Sequence, residues 1–206
     1  MGHLLAGRYS LKQRLGAGAM GRVYLARQQP FDRVVAVKLL RTDTTPERLE
    51  QNQIRFRNEA ERLSRLSHPN VVRLYDFGYA DEETAFLAME FLEGRTLAEA
   101  IGEQAVPAHQ AVAMGLEILK GLRHCHDRGV VHRDLKPANV LLVQDDGGER
   151  PVLVDFGISR DVDDTSDMTS GMFIGTPTYA APEQTTMQPI DNRADLAPSA
   201  CCSSAC

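Results

Sequence analysis

Five residues able to handle a proton, a phosphate or a metal fall within eight positions: His132, Arg133, Asp134, Lys136 and Asn139, in the stretch VVHRDLKPANVLL. Asp134 can accept a hydroxyl proton, Lys136 can neutralise a phosphoryl oxygen, and Asn139 offers Mg²⁺ a hard oxygen. Sixteen residues beyond Asn139, Asp155 ends the apolar run VLVD and is suited to hold the same metal. Each of these taken singly is also an ordinary turn residue or helix cap; their order and spacing set them apart. Upstream, Lys38 lies inside the apolar stretch VVAVKLL, where strand alternation puts it on one face with Ala36 and Leu40. An ammonium among apolar neighbours needs an anion. Glu59 is one candidate partner, and a phosphate lying under the glycine turn Gly16, Gly18, Gly21 is another. A snorkelling lysine at a strand end is the plainer alternative. A GxGxxG alone fits a dinucleotide fingerprint, a phosphate-covering loop or a bare hairpin turn. The fingerprint requires a helix to begin there, whereas Arg22, Val23, Tyr24 and Leu25 continue with strand character.

These residues need elements to position them. Tyr9 to Leu15 and Arg22 to Arg27 read as strands around the glycine turn, and Arg33 to Leu40 reads as a third. Thr45 and Pro46 signal a helix start, and Phe56, Ala60 and Leu63 keep one face apolar up to the stop at His68, Pro69 and Asn70. Val71 to Tyr79 and Thr84 to Phe91 supply two more strands. Past Glu93 and Gly94 the pattern turns helical: Thr96 to Ile101 is short, and Pro107 to Arg128 is long, with Val112, Leu116 and Leu119 on one stripe. Short apolar pieces follow at Val130 and Val131, Val140 to Val143, and Pro151 to Val154. Asp161 to Gly171 is a polar loop.

The 206 residues suffice to bury a core, and 43% hydrophobic with 25% charged residues describes an ordinary globular chain. A net charge of −5 argues against a nucleic-acid surface. No apolar stretch is long enough for a membrane helix and the start lacks a secretory signal, so a cytoplasmic location is expected. The four cysteines suit neither a disulfide framework nor a zinc site. Only four of the 23 basic residues are lysines, and two of them are Lys38 and Lys136.

GAGAMGRV, VAVK, HRDLKPAN, DFG and GTPTYAAPE, in that order, resemble the motif set of the eukaryotic-type protein kinases. The wording is similar to that of the bacterial Ser/Thr kinases. The resemblance runs from Tyr9 to Asp195. It implies an α+β, bilobal protein kinase-like fold, with a β-rich small lobe over residues 1–92 and a mainly helical large lobe, lacking its later helices, over 93–193. It implies ATP and Mg²⁺ as cofactors. Gly16, Gly18, Gly21, Val23, Ala36, Lys38, Met89, Glu90 and Leu92 are then expected to bind nucleotide, with Lys38 pairing with Glu59 and Met89 preceding the hinge. Asp134 matches the catalytic base, Lys136 the phosphate-stabilising lysine, and Asn139 and Asp155 the metal ligands. Lys136 with GTPTY points to protein Ser and Thr hydroxyls as acceptors, including the chain's own in trans, and Thr176 is expected near Asp134. Arg133 implies control by phosphorylation of the loop, with Ser170 favoured, Thr169 next, and Thr165 and Ser166 also available. Asp195 matches the aspartate that braces the catalytic loop through backbone hydrogen bonds.

Residues 194–206 depart from this pattern, being built almost wholly of Ala, Pro, Ser and Cys. The helix expected after Leu196, and the Arg that pairs with Glu183, have no counterpart. We expect an aberrant tail from a shifted reading frame: codons permitting APSACCSSAC read ALGLLLFGL two bases on. Two functional readings follow: a Ser/Thr protein kinase whose activity the lost helices would impair, and a catalytically inactive nucleotide- or partner-binding fragment.

Overall fold

The computed structural model describes residues 4–18, 21–41, 46–81, 84–103, 106–158 and 192–196. Two compact units are distinguished. One holds the chain up to Arg65 and Arg73–Phe91; the other holds Leu66–Val72, Leu92–Gly157 and the segment around Asp195.

The first unit is built on an antiparallel sheet of β1 (Tyr9–Gly18), β2 (Gly21–Gln28), β3 (Arg33–Arg41), β4 (Leu74–Tyr79) and β5 (Thr84–Glu90), in the order β1-β2-β3-β5-β4. Its two faces bury different sets. Val35 and Val37 join Tyr9, Ala26, Phe86 and Ala88 in one core cluster. The alternate residues of β3, Ala36, Lys38 and Leu40, take the other face, with their register partners Met89, Leu87 and Ala85 from β5. On that face Phe77 and Tyr79 of β4 meet Phe56 of α1 (Pro46–Ser64) edge-on, at ring centroid distances of 6.3 and 5.3 Å. The apolar positions Phe56, Ala60 and Leu63 are all buried, which is why the helix forms where its 3.6-residue stripe predicts. Tyr9 ties the sheet edges together: its hydroxyl donates to Asp76 of β4 and accepts from Gln28 Nε2 at 3.2 Å.

The second unit has a small sheet of β6 (Gly94–Thr96), β7 (Val140–Asp145) and β8 (Gly148–Leu153) with α2 (Leu97–Glu103) and α3 (Ala108–His126). Thr96 and Glu99 cap α2 reciprocally: the Thr96 N–H donates to Glu99 Oε2 at 2.7 Å and the Glu99 N–H to Thr96 Oγ1 at 3.1 Å. β6 arises at Gly94–Thr96, where only the approach to a helix was expected; Gly94 lies so close to Leu142 that a Cβ would sit 2.2 Å from its carbonyl oxygen.

Two other expectations are corrected. The strand expected from Val71 starts only at Leu74, because the backbone of residues 70–72 is bonded elsewhere: Val72 N–H donates to the Leu153 carbonyl at 3.0 Å and Leu153 N–H to the Asn70 carbonyl at 2.9 Å. In α3 the stripe Val112, Leu116 and Leu119 faces outward, 62%, 55% and 43% exposed, while Ala111, Ile118, Leu122 and Cys125 are buried.

Candidate active site

In the first unit the hairpin register assembles the expected nucleotide-binding residues. Gly16 pairs with Val23 and Gly18 with Gly21, so the glycines flank the β1–β2 turn. Val23 is opposite Lys38, and Ala36 is opposite Met89. Directly opposed residues share a face, so Val23, Ala36, Lys38, Leu87 and Met89 form one apolar patch with a buried ammonium in its midst. Such a surface suits a flat apolar ring carrying an anionic group. Glu90 closes β5, its N–H donating to the Arg73 carbonyl at 2.9 Å. Glu59 lies on α1 one turn after Phe56, with its Oε2 buried. Leu92 follows β5 in the second unit and is half-buried.

In the second unit the β7–β8 hairpin does the positioning. Asp145 opposes Gly148 across the two-residue turn Asp146-Gly147, and Val140 opposes Leu153 at the open end. One step further the Val154 N–H donates to the Asn139 carbonyl at 3.0 Å, so Asn139 and Asp155, distant in sequence, leave the hairpin side by side. Asn139 ends a 3-10 turn, Pro137–Asn139, opened by Lys136. Its Nδ2 donates to the Asp134 carbonyl at 2.7 Å and to Asp134 Oδ2 at 2.9 Å, while Lys136 Nζ donates to the same carboxylate oxygen at 2.9 Å. Asp134 and Asn139 are both buried.

The loop before Asp134 is clamped from far along the chain. Asp195, in the 3-10 turn Asn192–Asp195, accepts the His132 N–H on Oδ2 at 2.7 Å and the Arg133 N–H on Oδ1 at 2.8 Å. Its Oδ2 also bonds His126 Nε2 at 2.8 Å, a partner the sequence reading missed and for which the helical pattern of α3 gave no signal. Burial alone would raise the Asp195 carboxyl, but the His126 bond and the two amides outweigh it and hold the carboxyl below its ordinary value. Ala194 and Asp195 are fully buried.

His132 proves to be structural rather than catalytic. It is fully buried, its Nε2–H donates to the Val154 carbonyl at 3.0 Å, and its ring lies 4.5 Å from that of Phe156. Burial pushes its pKa down, against the pull of Asp195, and keeps it neutral. Arg133 and Asp155 adopt left-handed backbone, φ 65° and 58°, which non-glycine residues rarely sustain outside functional loops. Thr165, Ser166, Thr169, Ser170, Thr176 and Glu183 lie outside the described residues.

The oxygen donors of Asn139 and Asp155 fit a hard cation. Among the described residues no group of three or more His, Cys, Asp or Glu could hold a metal. Mg²⁺ is commonly held by one or two protein oxygens together with phosphate and water, a set that Asn139 and Asp155 suit.

Residues 9–202 match the protein kinase domain family, a stretch running past Asp195, where the motif resemblance was read as ending. The serine/threonine-protein kinase pkn2 of Myxococcus xanthus is 40% identical over 196 residues, covering 94% of this chain and 23% of that protein. The serine/threonine-protein kinase PknJ of Mycobacterium tuberculosis is 40% identical over 196 residues, covering 95% and 33%. The chain thus spans a third or less of the length of these relatives. The solved kinase domain of Mycobacterium tuberculosis PknI is similar with a TM-score of 0.74 and 30% identity, over 95% of this chain and 72% of that one. Likeness in both sequence and fold, beginning in the family match at the first residue of β1, means that this chain belongs to the protein kinase domain family.

Proposed function

We propose that this chain is the catalytic part of a Ser/Thr protein kinase, moving the γ-phosphoryl group of ATP to protein hydroxyls, including its own in trans, in the cytoplasm. The observation that carries the reading is the Asp134 carboxylate, buried, fixed by Asn139 and Lys136, and set on a loop clamped by Asp195.

Asp134 orients the acceptor hydroxyl and takes its proton as the new O–P bond forms and the bond from the γ phosphorus to the bridging oxygen breaks, releasing ADP. Lys136, already beside that carboxylate, neutralises charge on the transferring group. Lys38 binds the α and β phosphates and pairs with Glu59. Gly16, Gly18 and Gly21 let backbone amides approach the phosphates, while Val23, Ala36 and Met89 hold the base and Glu90 and Leu92 its edge. Asn139 and Asp155 would hold Mg²⁺, whose chemistry when bound is to offset phosphate charge. Arg133, next to the base, receives a phosphate carried by Ser170 or Thr169 and so couples loop phosphorylation to the site, while Thr176 stands near Asp134.

A catalytically inactive nucleotide- or partner-binding module is the second reading, favoured by the outward apolar stripe of α3. Measuring MgATP-induced thermal stabilisation together with ³²P transfer separates them. Stabilisation with transfer lost in Asp134→Asn supports the kinase, stabilisation without transfer supports the module, and neither contradicts both.

A further inference from the structure

Segment 66–72 lies against the C-terminal half of α3, and two histidines sit at the contact. The Ser67 N–H donates to His124 Nε2 at 3.3 Å, and the Asn70 N–H donates to His68 Nδ1 at 3.2 Å. The two rings lie 5.0 Å apart at 39°. Each backbone donor requires an unprotonated ring nitrogen, so His124 carries its proton on Nδ1 and His68 on Nε2. Both acceptors vanish when the rings are protonated, and two imidazolium charges would then face each other at contact distance.

We propose that His68 and His124 form an acid-sensitive latch that holds segment 66–72 on α3 when both rings are neutral and releases it when they are protonated. Of the two bonds, Ser67–His124 ties the segment to α3, and Asn70–His68 lies within the segment and holds its turn. At its C-terminal end Asn70 Nδ2 donates to the Pro151 carbonyl at 2.8 Å, and backbone bonds between residues 70–72 and Leu153 continue the attachment; the partners in these bonds are backbone carbonyls and amides that do not titrate. The chain enters this segment from Arg65 and leaves it toward β4, so the latch governs how firmly the segment following α1 is seated.

Burial is the largest influence on both rings and favours their neutral forms. On and just beyond α3, Lys120 and Arg128 disfavour the imidazolium, and Arg150 from β8 donates to the Pro69 carbonyl. Glu117 and Asp127 pull the other way, but Glu117 is already engaged by Lys120 at 2.8 Å and by Asn70. Charge on the His68 ring lowers the pKa of His124 further.

The test is an NMR titration of the full chain, following both rings and the hydrogen exchange of the Ser67 and Asn70 amides, corrected for intrinsic exchange. Both rings should titrate below the ordinary value of 6.5. Protection of the two amides should fall about tenfold from about pH 7.5 to about pH 5.5, clearly more than that of amides of β3, which follow only the overall loss of stability. A His68→Asn, His124→Gln chain keeps amide acceptors that do not titrate, so the protection of these two amides should change with pH no more than that of β3. Protection that is flat in the native chain, or that falls equally in the double variant, overturns the latch; the native titration decides even without the variant.

Discussion

Asp195 Oδ2 accepts the backbone N–H of His132 at 2.7 Å across 63 residues of sequence. The same carboxylate takes the Arg133 N–H and His126, so one side chain closes the loop that carries Asp134. Removing it in Asp195→Ala leaves two buried amides without acceptors, at about 1–3 kcal/mol each. Urea denaturation should show a loss of about 2–6 kcal/mol, with Asp195→Asn, which retains one acceptor oxygen, losing roughly half as much.

The glycines of the β1–β2 hairpin separate folding from function. Gly21 has φ +130°, and a Cβ there would sit 2.1 Å from the Leu39 carbonyl oxygen; at Gly16 a Cβ would meet nothing within 4 Å. Gly21→Ala should therefore cost at least about 1–2 kcal/mol of stability. Gly16→Ala should stay within about 0.5 kcal/mol in denaturation yet weaken MgATP binding in a calorimetric titration.

Lys38→Met replaces a buried ammonium with an apolar side chain of similar length on the face shared with Val23 and Leu87. The sheet should survive, as volume-conserving swaps do. Phosphate transfer should fall by at least about a hundredfold, since a preorganised cation at the phosphates is lost. Circular dichroism beside a transfer assay checks both halves.

Acid should weaken the fold in two stages. His132, like His68 and His124, has a folded-state pKa below 6.5, so the unfolded chain binds the extra protons and stability drops as pH falls from 6.5 toward the folded values. Asp195 is held below 3.8, so its stabilisation persists above that pH and is lost as pH falls through its folded value. Urea midpoints measured at intervals from neutral to acid should fall first in the histidine range; a flat profile there would contradict the buried neutral His132.

Much of this was legible in sequence because local rules and packing agree. Alternation in VVAVKLL put Lys38 with Ala36 and Leu40, and the sheet keeps that face. The stripe Phe56, Ala60, Leu63 forecast α1 and its buried side. The bracing by Asp195 came from motif resemblance, and its two amide bonds are present.

The misses have a common cause in long-range contacts. Helix α3 carries two apolar faces of comparable hydropathy, and a sequence cannot say which one meets the protein. Gly121 settles it: a Cβ there would lie 3.1 Å from the Asn70 carbonyl oxygen, so its missing side chain lets segment 66–72 seat on the Ile118, Leu122 and Cys125 side. That contact also withdraws Val71 and Val72 from β4 and creates the His68–His124 pair. The Asp-Gly signal at residues 146 and 147 was present, but only the apolar pieces beside it were read, so the hairpin that aligns Asn139 with Asp155 went unseen.

Transfer of ³²P from MgATP to a Ser/Thr protein substrate, by the native chain and by Asp134→Asn, tests the central claim most directly. Transfer should fall by about 10²–10⁴-fold in the variant while MgATP still stabilises it. Transfer undiminished in Asp134→Asn, or no stabilisation of the native chain by MgATP, would contradict it.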